Sequence, residues 1–330
     1  MGQPFGRLIC DDSLARAVPH RIPMVESRRP RPGPATSSQP RATSAPKPAP
    51  AGTTCARSQR FTQPPPHGIT HPMTETTPKI RLRNLRKSFG AKVVLDGIDL
   101  DIMPRTSMVV IGGSGSGKSV LLKCILGLIE PDAGTIEIDG ADILRMPRHE
   151  REEIRSRIGM LFQNGALFDS LPVWENVTFG LLAQRKLTRA HAGARAADFL
   201  AEVGLAPSVG DLYPAELSGG MQKRVALARA IAAQPDMMFF DEPTTGLDPI
   251  MGAVIDGLVV DCVKRLGSTA VAITHDMASA RRIGDAAAMI YQGRIVWSGP
   301  AAHLMDSGVP EVDQFTHGRR EGPIQMELRG

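Results

Sequence analysis

The residues best suited to chemistry run in succession: Gly112, Gly113, Ser114, Gly115, Ser116, Gly117, Lys118 and Ser119. Glycines leave backbone N–H groups free to turn inward and wrap phosphate oxygens, because no Cβ blocks the approach. Lys118 has the reach to meet β- and γ-phosphates, and the Ser119 hydroxyl can take a place on Mg²⁺. The same eight residues also describe a glycine turn that ends in a solvated lysine. Their flanks argue against that plainer alternative. An apolar run, Met108 to Ile111, precedes them, and a helical run, Val120 to Leu128, follows. A strand, a glycine-rich turn and a helix whose positive end starts near Gly117 make the context that phosphate binding needs.

Four further groups extend this chemistry. Met237 to Phe240 are apolar and lead into Asp241 and Glu242. Asp241 is placed to hold Mg²⁺ through water. Glu242 is placed to polarise an attacking water as general base. Two exposed acids at a strand end are common in α/β proteins, and the phosphate loop upstream is what favours the catalytic reading. Gln163 and His275 also stand at strand ends, where Gln163 can sense Mg²⁺ and the γ-phosphate and His275 can contact the γ-phosphate. A lone histidine is usually structural, so His275 counts only with the set. Ser218, Gly219 and Gly220 open a helix, and a serine hydroxyl, glycine N–H groups and a helix dipole make a second anion site. The chain already has one phosphate cradle, so a second makes sense if two copies meet head to tail around one nucleotide. Its plainer alternative is an ordinary serine N-cap. Phe89, about thirty residues before Lys118, offers a face for stacking a base. Taken alone it reads better as a core residue at a strand end.

The elements that position these groups follow from periodicity. Residues 80–85, 93–95 and 98–102 alternate as short strands before the loop, with Gly97 as punctuation. A strand and turn cover 134–140, a charged helix 149–157 and a buried-type strand 158–162. Helices follow at about 174–184 and 188–204, and a helical run from Leu217 reaches Ala233 before Gln234-Pro235-Asp236 breaks it. A helix from Pro249 to Leu266, a strand at 270–274 and a hairpin around Gln292-Gly293 complete the α/β pattern.

Composition narrows the setting. Residues 1–72 carry 14 of the 27 prolines and ten basic against three acidic residues, a net charge of +7, while the remainder holds 29 basic and 31 acidic residues. The basic balance therefore belongs to the first 72 residues and does not point the rest of the chain at nucleic acid. That segment cannot bury enough apolar surface to offset its ordering entropy, and it is expected to be disordered. Two alternatives stay open: an organelle transit peptide, or translated upstream sequence before a true start at Met73. No run of about 18 apolar residues exists, so no bilayer span is expected. Cys10, Cys55, Cys124 and Cys262 have neither metal nor disulfide spacing, which suits a reducing compartment, and Cys124 reads as a core thiol.

With these residues in place the chain resembles an ABC transporter ATPase over about Lys79 to Pro300. Gly112–Ser119, Gln163, Leu217–Gln222, Met237–Glu242, Gly246-Leu247-Asp248 and His275 look like its Walker A, Q-loop, signature, Walker B, D-loop and H-loop. The signature ends in Met221 where the common form has Gln, and Phe89 stands where the family usually has an adenine-stacking Tyr. The resemblance implies a P-loop NTPase (RecA-like) core, an antiparallel β layer and a helical subdomain at about 164–230 within an ATPase unit at 73–300. It implies hydrolysis of Mg·ATP by a homodimer. Lys118 and the loop amides would neutralise the phosphates, and Ser119, Gln163 and Asp241 would place Mg²⁺. Glu242 and His275 would set the water and γ-phosphate, and Ser218, Gly219 and Gly220 of the other copy would close the site.

A finer resemblance lies in Phe162-Gln163-Asn164-Gly165-Ala166-Leu167-Phe168 with Val173-Trp174-Glu175-Asn176-Val177, in Gly246 to Met251, and in Phe315 to Ile324. These are similar to the ATPase of Mla-type, Mce-associated phospholipid transport systems. That likeness implies separate integral-membrane permease subunits docking near Gln163 to Val177. It also implies Mce-domain and STAS-domain partners, the latter with a neighbouring ATPase chain on the extension at 301–330. The place of work would be the cytoplasmic face of the inner membrane, and the task phospholipid transport linked to outer-membrane lipid asymmetry. An importer of another solute such as an amino acid, a plastid lipid-transport homologue, and a soluble ABC ATPase of DNA repair or ribosomes are the rivals. The last usually carries a long coiled coil or two ATPase modules, which this sequence lacks.

Overall fold

The structure is a computed structural model that describes residues 77–325. The readings made for residues 1–72, for Met73 as a start, and for Cys10 and Cys55 lie outside the described residues.

β1 (Ile80–Phe89) and β2 (Lys92–Ile102) form a hairpin, and β3 (Ser107–Ile111) runs through the glycine loop into α1 (Lys118–Ile125). β4 (Ala133–Ile138), β5 (Ala141–Asp142), α2 (Arg148–Ser156) and β6 (Ile158–Leu161) follow. Three helices then succeed one another without a strand between them: α3 (Val173–Ala183), α4 (Arg189–Glu202) and α5 (Gly219–Ile231). The chain returns through β7 (Met237–Asp241), α6 (Pro249–Leu266), β8 (Thr269–Ile273), α7 (Met277–Ile283), β9 (Ala286–Tyr291), β10 (Arg294–Pro300) and α8 (Pro310–Thr316).

Two sheets result. One is antiparallel in the order β2-β1-β4-β5; the other runs β10-β9-β3-β8-β7-β6, parallel except for β10 at its edge. Parallel strands covered on both faces read as continuous apolar runs, and Met237 to Phe240 are all fully buried. Alternate residues feed two cores. Met238 and Phe240, with Val109 and Ile111, pack against Val225 and Leu227 of α5 and Ile255 and Val259 of α6. Met237 and Phe239, with Met108 and Val110, pack against Leu121, Leu122 and Cys124 of α1 and against Ile80, Leu82 and Ile98 of the antiparallel sheet. Cys124 is the core thiol that the sequence suggested, its pKa pushed up to about 11 by burial.

Two details differ from the sequence reading and a third goes beyond it. The short strands before the loop are two long ones, because Asn84 (φ 46°) absorbs a bulge and its N–H donates to Asp99 Oδ1 at 2.8 Å. The first helix stops before Leu128. Gly127 is left-handed (φ 66°) and donates to Cys124 O, and Leu128 donates to Lys123 O, the paired bonds of a Schellman stop. The extension after Pro300 folds onto the chain's own core: α8 buries Val312 and packs Phe315 and Ile324 on the larger core.

All four strand ends that carry proposed chemistry lie at one edge of the parallel sheet. The register Val110↔Ile273, Asp241↔Ile273 and Leu161↔Phe240 brings the ends of β3, β8, β7 and β6 level. Ligands of such sheets bind beyond the carboxyl ends of the strands.

Candidate nucleotide site

The loop between β3 and α1 is shaped by backbone that other residues could not adopt. A Cβ on Gly112 (φ 151°) would lie 2.3 Å from the Ile290 carbonyl oxygen, and one on Gly117 (φ 106°) 2.9 Å from the Val94 carbonyl oxygen. The loop is thus pressed between β9 and β2, with its open side facing a cavity. Lys118 is buried, and its Nζ donates to the carbonyls of Gly112 at 2.7 Å and Gly113 at 2.9 Å. Burial lowers its pKa, while the charges of Glu242 and Asp241 oppose that shift. The Ser116 hydroxyl is buried without a hydrogen-bond partner. Such an unpaired polar group in a cradle is one that a ligand can satisfy.

A cavity of about 1570 Å³ opens over the loop. It is lined by Gly113, Ser114, Gly115, Ser116, Gly117, Lys118 and Ser119, by Phe89 and Gln163, and by Glu242, Thr245 and His275. Phe89 is 49 % exposed at the end of β1, with Lys87 Nζ 5.5 Å from its ring centroid, so it is not a core residue. Residues of the extension, among them Arg319 and Arg320, line the far side, which no periodicity had marked.

Glu242 takes a left-handed backbone (φ 48°), and its N–H donates to the Ile273 carbonyl at 2.9 Å. That turn aims the carboxylate into the cavity. Thr245 Oγ1 donates to Glu242 Oε2 at 2.7 Å, and His275 Nδ1 lies 3.2 Å from Oε1. Burial works to raise the Glu242 pKa. The bonds from Thr245 and His275 and the charge of Lys118 outweigh it, so the pKa falls below the usual value. Asp241, half-buried beside it, moves the other way, through burial and then the Glu242 charge. Thr245 was not found in the sequence; its only signal was a hydroxyl three residues after a candidate base.

Two groups of the expected set stand apart. Asp241 does not line the cavity itself, although Lys118, Lys123 and Lys223 act on it electrostatically. Ser218, Gly219 and Gly220 do not line it at all. The Ser218 hydroxyl accepts from Met221 N at 3.3 Å and caps α5. Ser218 and Gly219 are exposed, and Gly220 is held close to Met251 at the start of α6, where a Cβ would meet its side chain at 3.0 Å.

The sheet order, the glycine loop and its buried lysine define a P-loop nucleotide-binding protein. The profile of the family described as "ABC transporter" matches residues 95–245. A probable ribonucleotide transport ATP-binding protein, mkl, of Mycobacterium leprae is 39 % identical over 75 % of this chain and 71 % of its own length. The intermembrane phospholipid transport system ATP-binding protein MlaF of Haemophilus influenzae is 38 % identical over 75 % of this chain and 94 % of its own. Among solved structures, a dimeric ATP-binding cassette in a post-hydrolysis state, bound to ADP and Pi, superposes with a TM-score of 0.62 at 30 % identity, covering 67 % of this chain and 98 % of that one. The chain belongs to the ABC transporter ATP-binding family; it binds and hydrolyses ATP.

Among the described residues no helix is long and apolar enough to cross a membrane. An exposed aromatic patch instead lies beside the Gln163 loop. Phe168 and Phe179 pack at a 40° tilt with centroids 4.5 Å apart, each more than two-fifths exposed, and Phe162, at the end of β6, is exposed as well. The loop beneath them is pinned by buried Asn176, which accepts from Phe168 N at 2.7 Å and donates to the Phe168 and Leu171 carbonyls.

Proposed function

We propose that this chain is the ATPase subunit of a phospholipid transporter, working as a head-to-tail homodimer on the cytoplasmic face of the inner membrane. The observation that carries the site assignment is the convergence of Lys118, Gln163, Glu242 and His275 on one cavity at the carboxyl edge of the parallel sheet. ATP would lie with its base on Phe89 and its phosphates in the loop from Gly112 to Ser119. The loop N–H groups and Lys118 hold the phosphates. Hydrolysis asks mainly for positioning and charge stabilisation. Glu242, kept ionised by Thr245 and His275, accepts a hydrogen bond from the attacking water, and His275 faces the γ-phosphate. Ser218, Gly219 and Gly220 of the second copy complete the cradle.

The hydroxyl of Ser119, the carboxamide of Gln163 and the carboxylate of Asp241 are oxygen donors that suit Mg²⁺. Bound with ATP, Mg²⁺ neutralises charge on the β- and γ-phosphates.

In this reading residues 73–300 are the ATPase unit, with residues 164–230 as its helical part and 301–330 as an extension for subunit contacts. The aromatic patch of Phe162, Phe168 and Phe179 is where permease subunits dock. Identity does not choose the cargo, since the relatives named for ribonucleotide and for phospholipid match almost equally. What supports phospholipid, beyond the match to MlaF itself, is the Phe162–Phe168 run together with the Phe315–Ile324 tail.

The test is a gentle-detergent pull-down of the tagged chain with mass spectrometric identification of its companions. A permease with Mce-domain and STAS-domain subunits is the expected result. A permease with a solute-binding protein would overturn the lipid assignment and leave the ATPase chemistry intact.

A further inference from the structure

Residues 163–166 leave β6 in a conformation that neither sheet nor helix can satisfy. Gly165 (φ 71°) and Ala166 (φ 48°) are both left-handed, so the carbonyls of this stretch turn away from the strand ladder. Carbonyls turned out of the ladder need other donors, most of all that of buried Gly165. Two cations of α5 supply them. Lys223 Nζ donates to the Gln163 carbonyl, and Arg229 donates to the Gly165 carbonyl at 2.6 Å and the Ala166 carbonyl at 2.7 Å. Ala226 of the same helix lies against Gly165, where a Cβ would meet its methyl at 3.5 Å.

Both cations are costly to keep there. Lys223 is only 6 % exposed. Burial depresses its pKa, and the charges of Asp241 and Glu242 hold it up; burial alone depresses that of Arg229. A buried lysine facing the acids of a reaction site, with its hydrogen bond on the loop that carries Gln163, is more than surface solvation needs. The other end of α5 carries Ser218.

We propose that Lys223, supported by Arg229, is a positioning residue that fixes the path of residues 163–166 and thereby the reach of the Gln163 side chain into the nucleotide cavity. It ties that reach to the helix whose first turn faces the second copy. The proposal rests on the reading of Gln163 as a contact for Mg²⁺ and the γ-phosphate. Lys223 touches neither; it acts through Gln163.

The test compares the full chain with Lys223→Met, Lys223→Arg, Gln163→Ala and the Lys223→Met/Gln163→Ala double variant. For each, kcat, the Mg²⁺ concentration at half-maximal rate, and the affinity for a fluorescent ATP analogue without Mg²⁺ are measured. Loss of a charge-assisted bond predicts a fall in kcat of about tenfold for Lys223→Met, a raised Mg²⁺ requirement, and Mg²⁺-free affinity within about twofold of wild type. Lys223→Arg should recover most of the rate. Adding Lys223→Met to Gln163→Ala should cost less than about twofold more, because Lys223 acts through the Gln163 side chain that the first change has already removed. Full additivity in the double variant, or an unchanged kcat and Mg²⁺ requirement in Lys223→Met, would overturn the proposal. A Gln163→Ala chain with wild-type kcat and Mg²⁺ requirement would remove the reading of Gln163 itself, and the proposal with it. Arg229→Gln, which keeps the buried lysine, reads the same quantities if Lys223→Met fails to fold.

Discussion

Among the described residues, glycines open the backbone N–H groups of the α1 and α5 starts to a phosphate. At α1 they open into a cavity already furnished with a buried lysine, the exposed face of Phe89, a glutamate and a histidine. At α5 they are capped by Ser218, and the exposed Ser218 and Gly219 lie outside that cavity. The first site can bind within one chain. The second has the same chemistry and nothing of its own to act on, which is what half of a shared site looks like. Variants at the two helix starts should therefore fail in different ways: one loses ligand, the other keeps ligand and loses rate.

The largest effect belongs to the complete site. Lys118→Ala removes the lysine held on the Gly112 and Gly113 carbonyls and should weaken ATP binding by about a hundredfold or more, read by equilibrium titration of a fluorescent analogue. An affinity near wild type would break the comparison at its stronger end. Phe89→Ala should weaken the same binding by about tenfold, the scale of one base–aromatic stack, and leave the affinity for pyrophosphate alone.

Thr245→Val probes the smallest effect and has a defined sign. The Thr245 hydroxyl donates to Glu242 and stabilises its ionised form, so the variant carboxyl titrates higher. The acidic limb of the kcat profile should move to higher pH by up to about one unit, with little change at neutral pH, where the carboxyl stays ionised in both proteins. A limb that stays in place would mean that Glu242 does not set it.

Much of the complete site was legible because its residues sit where elements change. A strand, a glycine run and a helix announce the loop from Gly112 to Ser119, and apolar residues ending in Asp241-Glu242 announce a buried strand. Contacts between distant stretches left no such mark. Lys223 reads as one more basic residue on a charged helix, and only the fold lays residue 163 against it, 60 positions away. The order in the extension was equally hidden. Its apolar residues, Val312, Phe315 and Ile324, are too few and too unevenly spaced to show a period, and they gain their burial from a core assembled elsewhere. The early end of α1 was readable from Gly127, had its left-handed stop been weighed above the apolar run through Leu128.

The central claim is that the α5 start of one chain closes the cavity of another. The most direct measurement is the mass in solution of Glu242→Gln, with and without ATP, beside the Glu242→Gln/Ser218→Arg double variant. Light scattering should find a dimer for the single variant only when ATP is present. The double variant should stay a monomer while binding ATP with the affinity that the single variant shows at concentrations too low for it to dimerise. A Glu242→Gln chain that remains monomeric with ATP bound, or a double variant that dimerises as well as the single one, would contradict the account.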